Sequence, residues 1–132
     1  MKVTADTNVL LRACVADDAE QARAAVACLA SAEQVVVSLQ ALWEFAWVLR
    51  RQYKTGRSDV AAAIRALLDT ENVLVNCPGA EAGLAVLEAG GDFADGIIAF
   101  EGNWQGADTF VSFDKNAVTL LASQGIRTQL LT

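Results

Sequence analysis

The sequence contains no histidine and only one proline among its 132 residues. Without histidine, the chain cannot use a Ser-His-Asp or Cys-His mechanism or an imidazole-based zinc site. Hydrolysis by this chain would therefore depend on carboxylates and a metal ion. Cysteine is also scarce, and the three cysteines show neither zinc-site spacing nor a Cys-x-x-Cys pair. We predict that Cys14, Cys28 and Cys77 are small buried residues.

Long apolar runs are missing as well. No run approaches the roughly 20 residues that a membrane helix needs, and the first residues lead directly into a strand-like segment rather than a signal peptide. We therefore expect a cytoplasmic protein with no membrane contact. The formal net charge of -6 argues against a general affinity for nucleic acid. Half of the ten basic residues nevertheless lie in one short stretch, which is either an RNA-facing rim or a solvated helix end: Arg50, Arg51, Lys54, Arg57 and Arg65.

Hydrophobic periodicity predicts strands that alternate with helices. Strands are expected at residues 2–5, 35–37, 73–75, 109–113 and 126–131, with helices between them. The predicted helices include residues 19–31, residues 39–53 with Ser38 as cap, a helix to about residue 68 with Ser58 as cap, and residues 80–89 after Pro78. This alternation predicts parallel pairing with right-handed crossovers and helices on both faces of the sheet. The predicted fold class is α/β, a three-layer α/β/α sandwich with a mainly parallel sheet of about five strands. Because the chain has no repeat, low-complexity stretch or linker, we expect one domain over residues 1–132.

Four acidic residues occupy positions that a parallel α/β fold would bring together: Asp6, Glu44, Asp95 and Asp114. Asp6 and Asp114 each follow an apolar run, at the edge where open α/β sheets place their ligands. Glu44 and Asp95 lie inside apolar helical segments, where an unpaired charge is costly. Each acid has another interpretation. Asp6 or Asp114 could be a turn residue or helix cap, and Glu44 could form an ion pair with an arginine such as Arg12.

Four carboxylates suit a site for one or two Mg2+ or Mn2+ ions. Such ions generate hydroxide and neutralise charge during phosphodiester hydrolysis, and Mg2+ usually accepts only one or two carboxylates directly. The hydroxyls of Thr7 and Ser112 and the amide of Asn8 could orient metal-bound water, or they could serve as caps and turn residues. Asp92 is predicted to cap a helix, with a supporting acid as the alternative.

Four segments carry a family pattern: residues 5–11 (ADTNVLL), 38–45 (SLQALWEF), 92–99 (DFADGIIA) and 110–114 (FVSFD). Together they resemble the PIN-domain ribonucleases, in particular the VapC-type toxins of prokaryotic toxin-antitoxin pairs. Each motif alone is weak, but all four occur in order over the whole chain. The resemblance implies a Mg2+- or Mn2+-dependent endoribonuclease that acts on single-stranded or looped RNA. It also implies a homodimer that a cognate antitoxin inhibits.

The resemblance also implies roles for individual residues. By position, Asp6 and Asp95 would be direct metal ligands, and Asp114 would be a second ligand or would bind water. Glu44 would orient or deprotonate the attacking water. The pattern departs from the family at Gly96, where alanine is more common, and a glycine there is expected to loosen the first turn of its helix.

Two rival functions stay open from the sequence. In a phosphoryl-transfer domain of the aspartate-nucleophile class, a second aspartate would stand two residues after Asp6, where the chain has Asn8. The other rival is a non-catalytic metal-binding PIN-like domain used for partner docking, against which the intact acids argue. Trp43 and Trp47, four residues apart, are either core residues or part of a dimer or antitoxin surface.

Overall fold

The computed structural model describes every residue from Met1 to Thr132, and the chain divides into two compact units, Met1–Cys77 and Pro78–Thr132. None of its helices has the length and apolar character needed to span a membrane.

The first unit contains a parallel sheet of three strands in the order β1-β2-β3. Val3 lies opposite Val35 in the first pair, and Val35 lies opposite Val73 in the second. A pair of helices joins each strand to the next, as parallel neighbours require. The elements are β1 (Lys2–Thr4), α1 (Thr7–Cys14), α2 (Ala19–Ser31), β2 (Gln34–Val36), α3 (Leu39–Arg51), α4 (Arg57–Leu68) and β3 (Val73–Leu74).

Helix α3 shows how the sequence directs this unit. Leu42, Phe45 and Leu49 recur every three or four residues, so they share one helical face, and each is at most 2% exposed. The Oγ of Ser38 accepts a hydrogen bond of 3.0 Å from the backbone N–H of Ala41 at the start of the helix. Ser38 is therefore the N-cap, which places α3 where its apolar spacing predicts.

The second unit contains a parallel pair of strands in which Phe110 lies opposite Thr128. Its core is formed mainly by apolar residues of the helices, including Leu84, Phe93 and Leu121, each at most 2% exposed. The elements are α5 (Cys77–Glu88), whose first residue is the last of the first unit, α6 (Phe93–Trp104), β4 (Phe110–Ser112), α7 (Lys115–Ser123) and β5 (Thr128–Leu130).

The α/β class and the parallel pairing are confirmed, and the predicted sheet of about five strands is seen as a sheet of three and a sheet of two. Two helix starts differ from the sequence prediction. Helix α5 begins before Pro78, because the first helical turn tolerates a residue without a backbone N–H. Ser58, predicted to cap α4, lies inside its first turn, and Gly56 is the N-cap.

The prediction that the three cysteines are buried is wrong, since all three are exposed. Cys14 is the last residue of α1 and Cys77 is the first of α5, while Cys28 lies on the outer side of α2. Cysteine is buried more often than most residue types when averaged over many proteins. Whether a particular cysteine of this chain is buried depends instead on where it lies on its helix.

Helix α6 approaches α5 closely through glycine. A Cβ atom on Gly96 would collide with the backbone carbonyl oxygen of Ala82 and lie 2.7 Å from the Cα of Gly83. The ring of Phe93 covers the same stretch of α5, and a Cβ on Gly83 would lie 2.5 Å from it. Gly96 therefore stands where a side chain would not fit, whatever glycine costs in helix propensity. The missing side chain allows two backbones to touch, and this contact fixes the first turn of α6.

Candidate functional site

In the first unit, the carboxyl end of β1 opens into a cleft of about 430 Å³. Asp6 lies two residues beyond the end of β1, and Glu44 reaches the cleft from the second turn of α3. Thr7 and Asn8, predicted as supporting residues, line the same cleft. Within the first unit, the structure therefore brings together all of the candidate site residues except the basic ones, Arg50, Arg51, Lys54 and Arg57.

Asp6 is the N-cap of α1. Its Oδ1 accepts a hydrogen bond of 2.6 Å from the backbone N–H of Asn8. The helix-cap interpretation is thus correct for Asp6, but it uses only one carboxylate oxygen. Oδ2 accepts no hydrogen bond, and the residue is exposed. The cap therefore holds the carboxylate in place and leaves an oxygen for a ligand.

Two polar neighbours hold the Glu44 carboxylate. The hydroxyl of Thr7 donates to its Oε2 at 3.1 Å, and the amide of Gln40 donates to its Oε1 at 3.2 Å. The alternative of an ion pair with Arg12 is wrong, because the guanidinium of Arg12 contacts Asp17 at 3.1 Å. Sequence reasoning missed Gln40, although its position four residues before Glu44 on the same helix is the spacing at which such pairs form.

In the second unit, Asp95 is half-buried in the first turn of α6. Burial raises the pKa of its carboxyl, and the negative charges of Asp92 and Asp114 raise that pKa further. No lysine or arginine forms a salt bridge with it. The ionised form of Asp95 is therefore held at a cost, in a region of concentrated negative potential.

The two acids that repel Asp95 are both helix caps. Oδ1 of Asp92 accepts from the backbone N–H of Ala94 at 3.2 Å and starts α6, as predicted. Oδ1 of Asp114 accepts from the backbone N–H groups of Asn116 at 2.9 Å and of Ala117 at 3.2 Å, and Oδ2 accepts no hydrogen bond. The Oγ of Ser112 accepts from the N–H of Asp114 at 2.9 Å and so fixes the turn that presents this carboxylate.

The donor chemistry of both units fits a hard divalent cation. Neither unit gathers three or more acidic or cysteine side chains in an arrangement that could hold a metal ion. Each unit does present carboxylate oxygens, the ligands that Mg2+ and Mn2+ prefer. Oδ2 is open on both Asp6 and Asp114, and a cation would remove the cost of ionising Asp95.

The basic stretch runs from the end of α3, through the connection, into α4, where Arg65 lies in the last turn. Arg50 and Arg51 lie in the last turn of α3, and Lys54 has a left-handed backbone with φ of 54°. Arg50 donates a hydrogen bond of 3.2 Å to the carbonyl of Thr55, so it helps to close this turn. Arg57 begins α4.

The two tryptophans of α3 have different environments. Trp43 is half-buried, and its Nε1 is buried without a hydrogen-bond partner. Trp47 is 44% exposed, so the core interpretation is wrong for this residue. The guanidinium carbon of Arg51 lies 5.8 Å from the centre of its ring, within the range of a cation–π contact. The spacing of four residues on a helix could have revealed this pair from the sequence.

In a comparison with protein families, the family model for the PIN domain matches residues 3–119. The matched range includes all four candidate acids. No curated protein matches the chain.

Proposed function

Since the chain belongs to the PIN domain family, a superfamily of nucleases often found in toxin-antitoxin systems, we propose that it is a Mg2+- or Mn2+-dependent endoribonuclease. We further propose that it is the toxin of a type II toxin-antitoxin pair, of the VapC type. The observation that carries the nuclease proposal is Asp95, a half-buried carboxylate with two acids near it and no cationic side chain paired with it. A protein without a cationic ligand gains nothing in stability from such an arrangement.

The proposal takes the two units as parts of one nuclease domain, residues 1–132, with an α/β/α arrangement and a mainly parallel sheet. All four acids, Asp6 and Glu44 of the first unit and Asp95 and Asp114 of the second, are proposed as catalytic residues of this domain. The family match supports this, because it extends over both units. Asp6 and Asp114 support it too, since each follows the carboxyl end of a parallel strand, where ligands of α/β sheets bind.

Asp6, Asp95 and Asp114 would hold the metal, with Asp92 adding negative charge beside Asp95. The chemistry that Mg2+ or Mn2+ would supply there is activation of water at neutral pH and neutralisation of charge on the phosphate. Glu44, held by Thr7 and Gln40, would orient the attacking water or accept its proton.

The supporting residues would hold the proposed catalytic carboxylates in position. Thr7 fixes Glu44 through its hydroxyl, and Ser112 fixes the backbone N–H of Asp114. Asn8 lines the same cleft as Asp6 and Glu44, and its amide would help to orient water there.

We propose single-stranded or looped RNA as the substrate, with Arg50, Arg51, Lys54 and Arg57 near its phosphates. The proposed inhibitor is a small antitoxin that places an arginine among the carboxylates, because a guanidinium pairs two carboxylate oxygens at once. We also propose that the protein forms a homodimer.

The nuclease proposal is tested with labelled total RNA incubated with purified protein in Mg2+, in Mn2+ and in EDTA. Cleavage should require the metal and should collapse in Asp6→Asn and Asp95→Asn. Asparagine caps helices about as well as aspartate, so Asp6→Asn should keep its circular dichroism spectrum. Asp69→Asn, an exposed residue outside the cleft, serves as the matched control and should cleave like wild type. Full activity in EDTA, or in either site variant, would refute the carboxylate–metal mechanism.

The toxin proposal has a separate test. Expression of the chain alone should stop growth of a bacterial host, and expression of Asp95→Asn should not. A small arginine-containing protein should co-purify from the native host. Harmless expression of a chain that cleaves RNA in vitro, with no such partner, would contradict the toxin assignment and leave the nuclease proposal standing.

A further inference from the structure

One face of α3 carries a row of side chains that the protein core does not use. Gln40, Glu44, Trp47 and Arg51 are separated by four, three and four residues, so they lie along the same side of the helix. The first two line the cleft described above. Trp47 is one turn further along and is 44% exposed. The row therefore continues from the cleft to the basic end of the helix.

Trp47 and Arg51 form a cation–π pair at that end, with the guanidinium over one face of the ring. The guanidinium carbon lies 5.8 Å from the ring centre. Neither side chain makes a hydrogen bond within the first unit, so no polar contact there accounts for its position. A planar aromatic ring and a planar guanidinium are the two side-chain groups on which unpaired nucleic-acid bases stack.

The charge of this surface selects the kind of ligand. Arg50, Arg51 and Lys54 are all exposed, and no carboxylate forms a salt bridge with any of them. A phosphate backbone would neutralise them. A second copy of the chain placed here across a two-fold axis would instead bring the same cations face to face, which is unfavourable. The basic, aromatic surface is therefore complementary to a polyanion that carries stacking groups.

We propose that Trp47 and Arg51 form a stacking site for one unpaired base of single-stranded RNA, beside Glu44. The inference rests on the proposed ribonuclease function and assigns a substrate subsite to it. The chain carries a net charge of -6, so it lacks a broad electrostatic attraction for RNA. A stacked base next to Glu44 would hold the strand where the carboxylates act.

The test compares cleavage kinetics of a labelled single-stranded RNA by wild type, Trp47→Ala, Trp47→Phe and a control, Trp104→Ala. Trp104 is 82% exposed in the second unit, so its loss removes an equally large surface ring elsewhere. Trp47→Ala should lower kcat/KM by about 5- to 150-fold, the range expected for loss of one stacked base, and the loss should fall on KM rather than kcat. Trp47→Phe should recover most of it, and Trp104→Ala should match wild type.

A second arm removes the base instead of the ring. Substrates with a single abasic nucleotide are scanned along the RNA, and one position should lower kcat/KM of wild type by a similar factor while lowering that of Trp47→Ala no further. Light scattering of each variant gives its oligomeric state.

Three results would overturn the inference. Equal kinetics of wild type and Trp47→Ala would do so and leave the ribonuclease proposal intact. A change from dimer to monomer in Trp47→Ala, with no sensitive abasic position, would make Trp47 a contact between copies. Absence of any metal-dependent RNA cleavage by wild type would remove the ribonuclease proposal and this inference together.

Discussion

Replacing Gly96 by alanine is expected to destabilise the protein, although alanine is the better helix former. In a helix interior, this exchange contributes up to about 1 kcal/mol of stability. At Gly96 the added methyl group would meet the carbonyl oxygen of Ala82 and the Cα of Gly83. Overpacking by one methyl group costs about 1–3 kcal/mol, and the upper part of that range applies because backbone atoms cannot rotate away. The net loss should be about 1–2 kcal/mol.

Gly102 provides the matched control, since it lies in the same helix and its added Cβ would have only the Cβ of Ala107 near it, at 3.9 Å. Gly102→Ala should therefore leave the stability unchanged or raise it by up to about 1 kcal/mol. For a chain of this length, 1 kcal/mol corresponds to about 4 °C in Tm. Gly96→Ala should melt about 4–8 °C below wild type, and Gly102→Ala at or above it.

Thermal unfolding followed by circular dichroism in EDTA measures both shifts without any contribution from bound metal. Urea titrations at one temperature give the corresponding free energies of unfolding. If Gly96→Ala is as stable as wild type, the contact between α5 and α6 does not depend on a missing side chain. If both variants lose the same stability, the cause lies in the helix itself rather than in this contact.

Two further predictions concern the acids of the second unit. Asp114→Asn should melt at or above wild type in EDTA, because asparagine keeps the cap and one like charge is gone, whereas Asp114→Ala should lose about 1 kcal/mol with the cap. Saturating Mn2+ should raise the Tm of wild type by on the order of 10 °C and that of Asp114→Asn by less; strong destabilisation of Asp114→Asn in EDTA would contradict a ligand role. The pKa of Asp95 is raised above its ordinary value of 3.8. The folded metal-free protein therefore keeps the Asp95 proton at pH values where the unfolded chain has lost it. The free energy of unfolding should fall as the pH rises from about 3.8 through the raised pKa. Urea unfolding in EDTA at several pH values should show this fall in wild type relative to Asp95→Asn, and the opposite slope would mean that Asp95 is stabilised in its charged form.

Much of the fold follows from local sequence signals. Ser38 and Asp92 were predictable as caps because a cap and the N–H group it accepts from are two or three residues apart. The start of α2 was predictable for the same reason, since Asp18 caps it by accepting from the backbone N–H of Gln21. The grouping of five strands into sheets of three and two could not be read from periodicity, which locates a strand but not its neighbour.

Sequence reasoning falls short where the contacts that a residue makes decide the outcome. Gly96 has a low helix propensity, but its effect depends on Ala82 in another helix. Arg12 could have paired with Glu44 as far as the sequence shows, and the nearer Asp17 takes it instead. For the candidate site, the sequence identified the acids of each unit, but it presented cap and ligand as alternatives. The structure gives Asp6 and Asp114 a cap role and leaves a second oxygen open on each.

The proposed double role of Asp6 and Asp114, as helix caps and metal ligands, affects how descendants of this chain would evolve. If a copy lost its activity, selection for folding alone would still favour aspartate or asparagine at both positions, because each begins a helix. Asp95 has no such protection. Its half-buried charge lowers the stability of the metal-free protein, so mutations that remove it would spread once catalysis no longer mattered. Among relatives of this chain, the residue at position 95 should therefore distinguish active copies from inactive ones better than the more prominent aspartates at the strand ends.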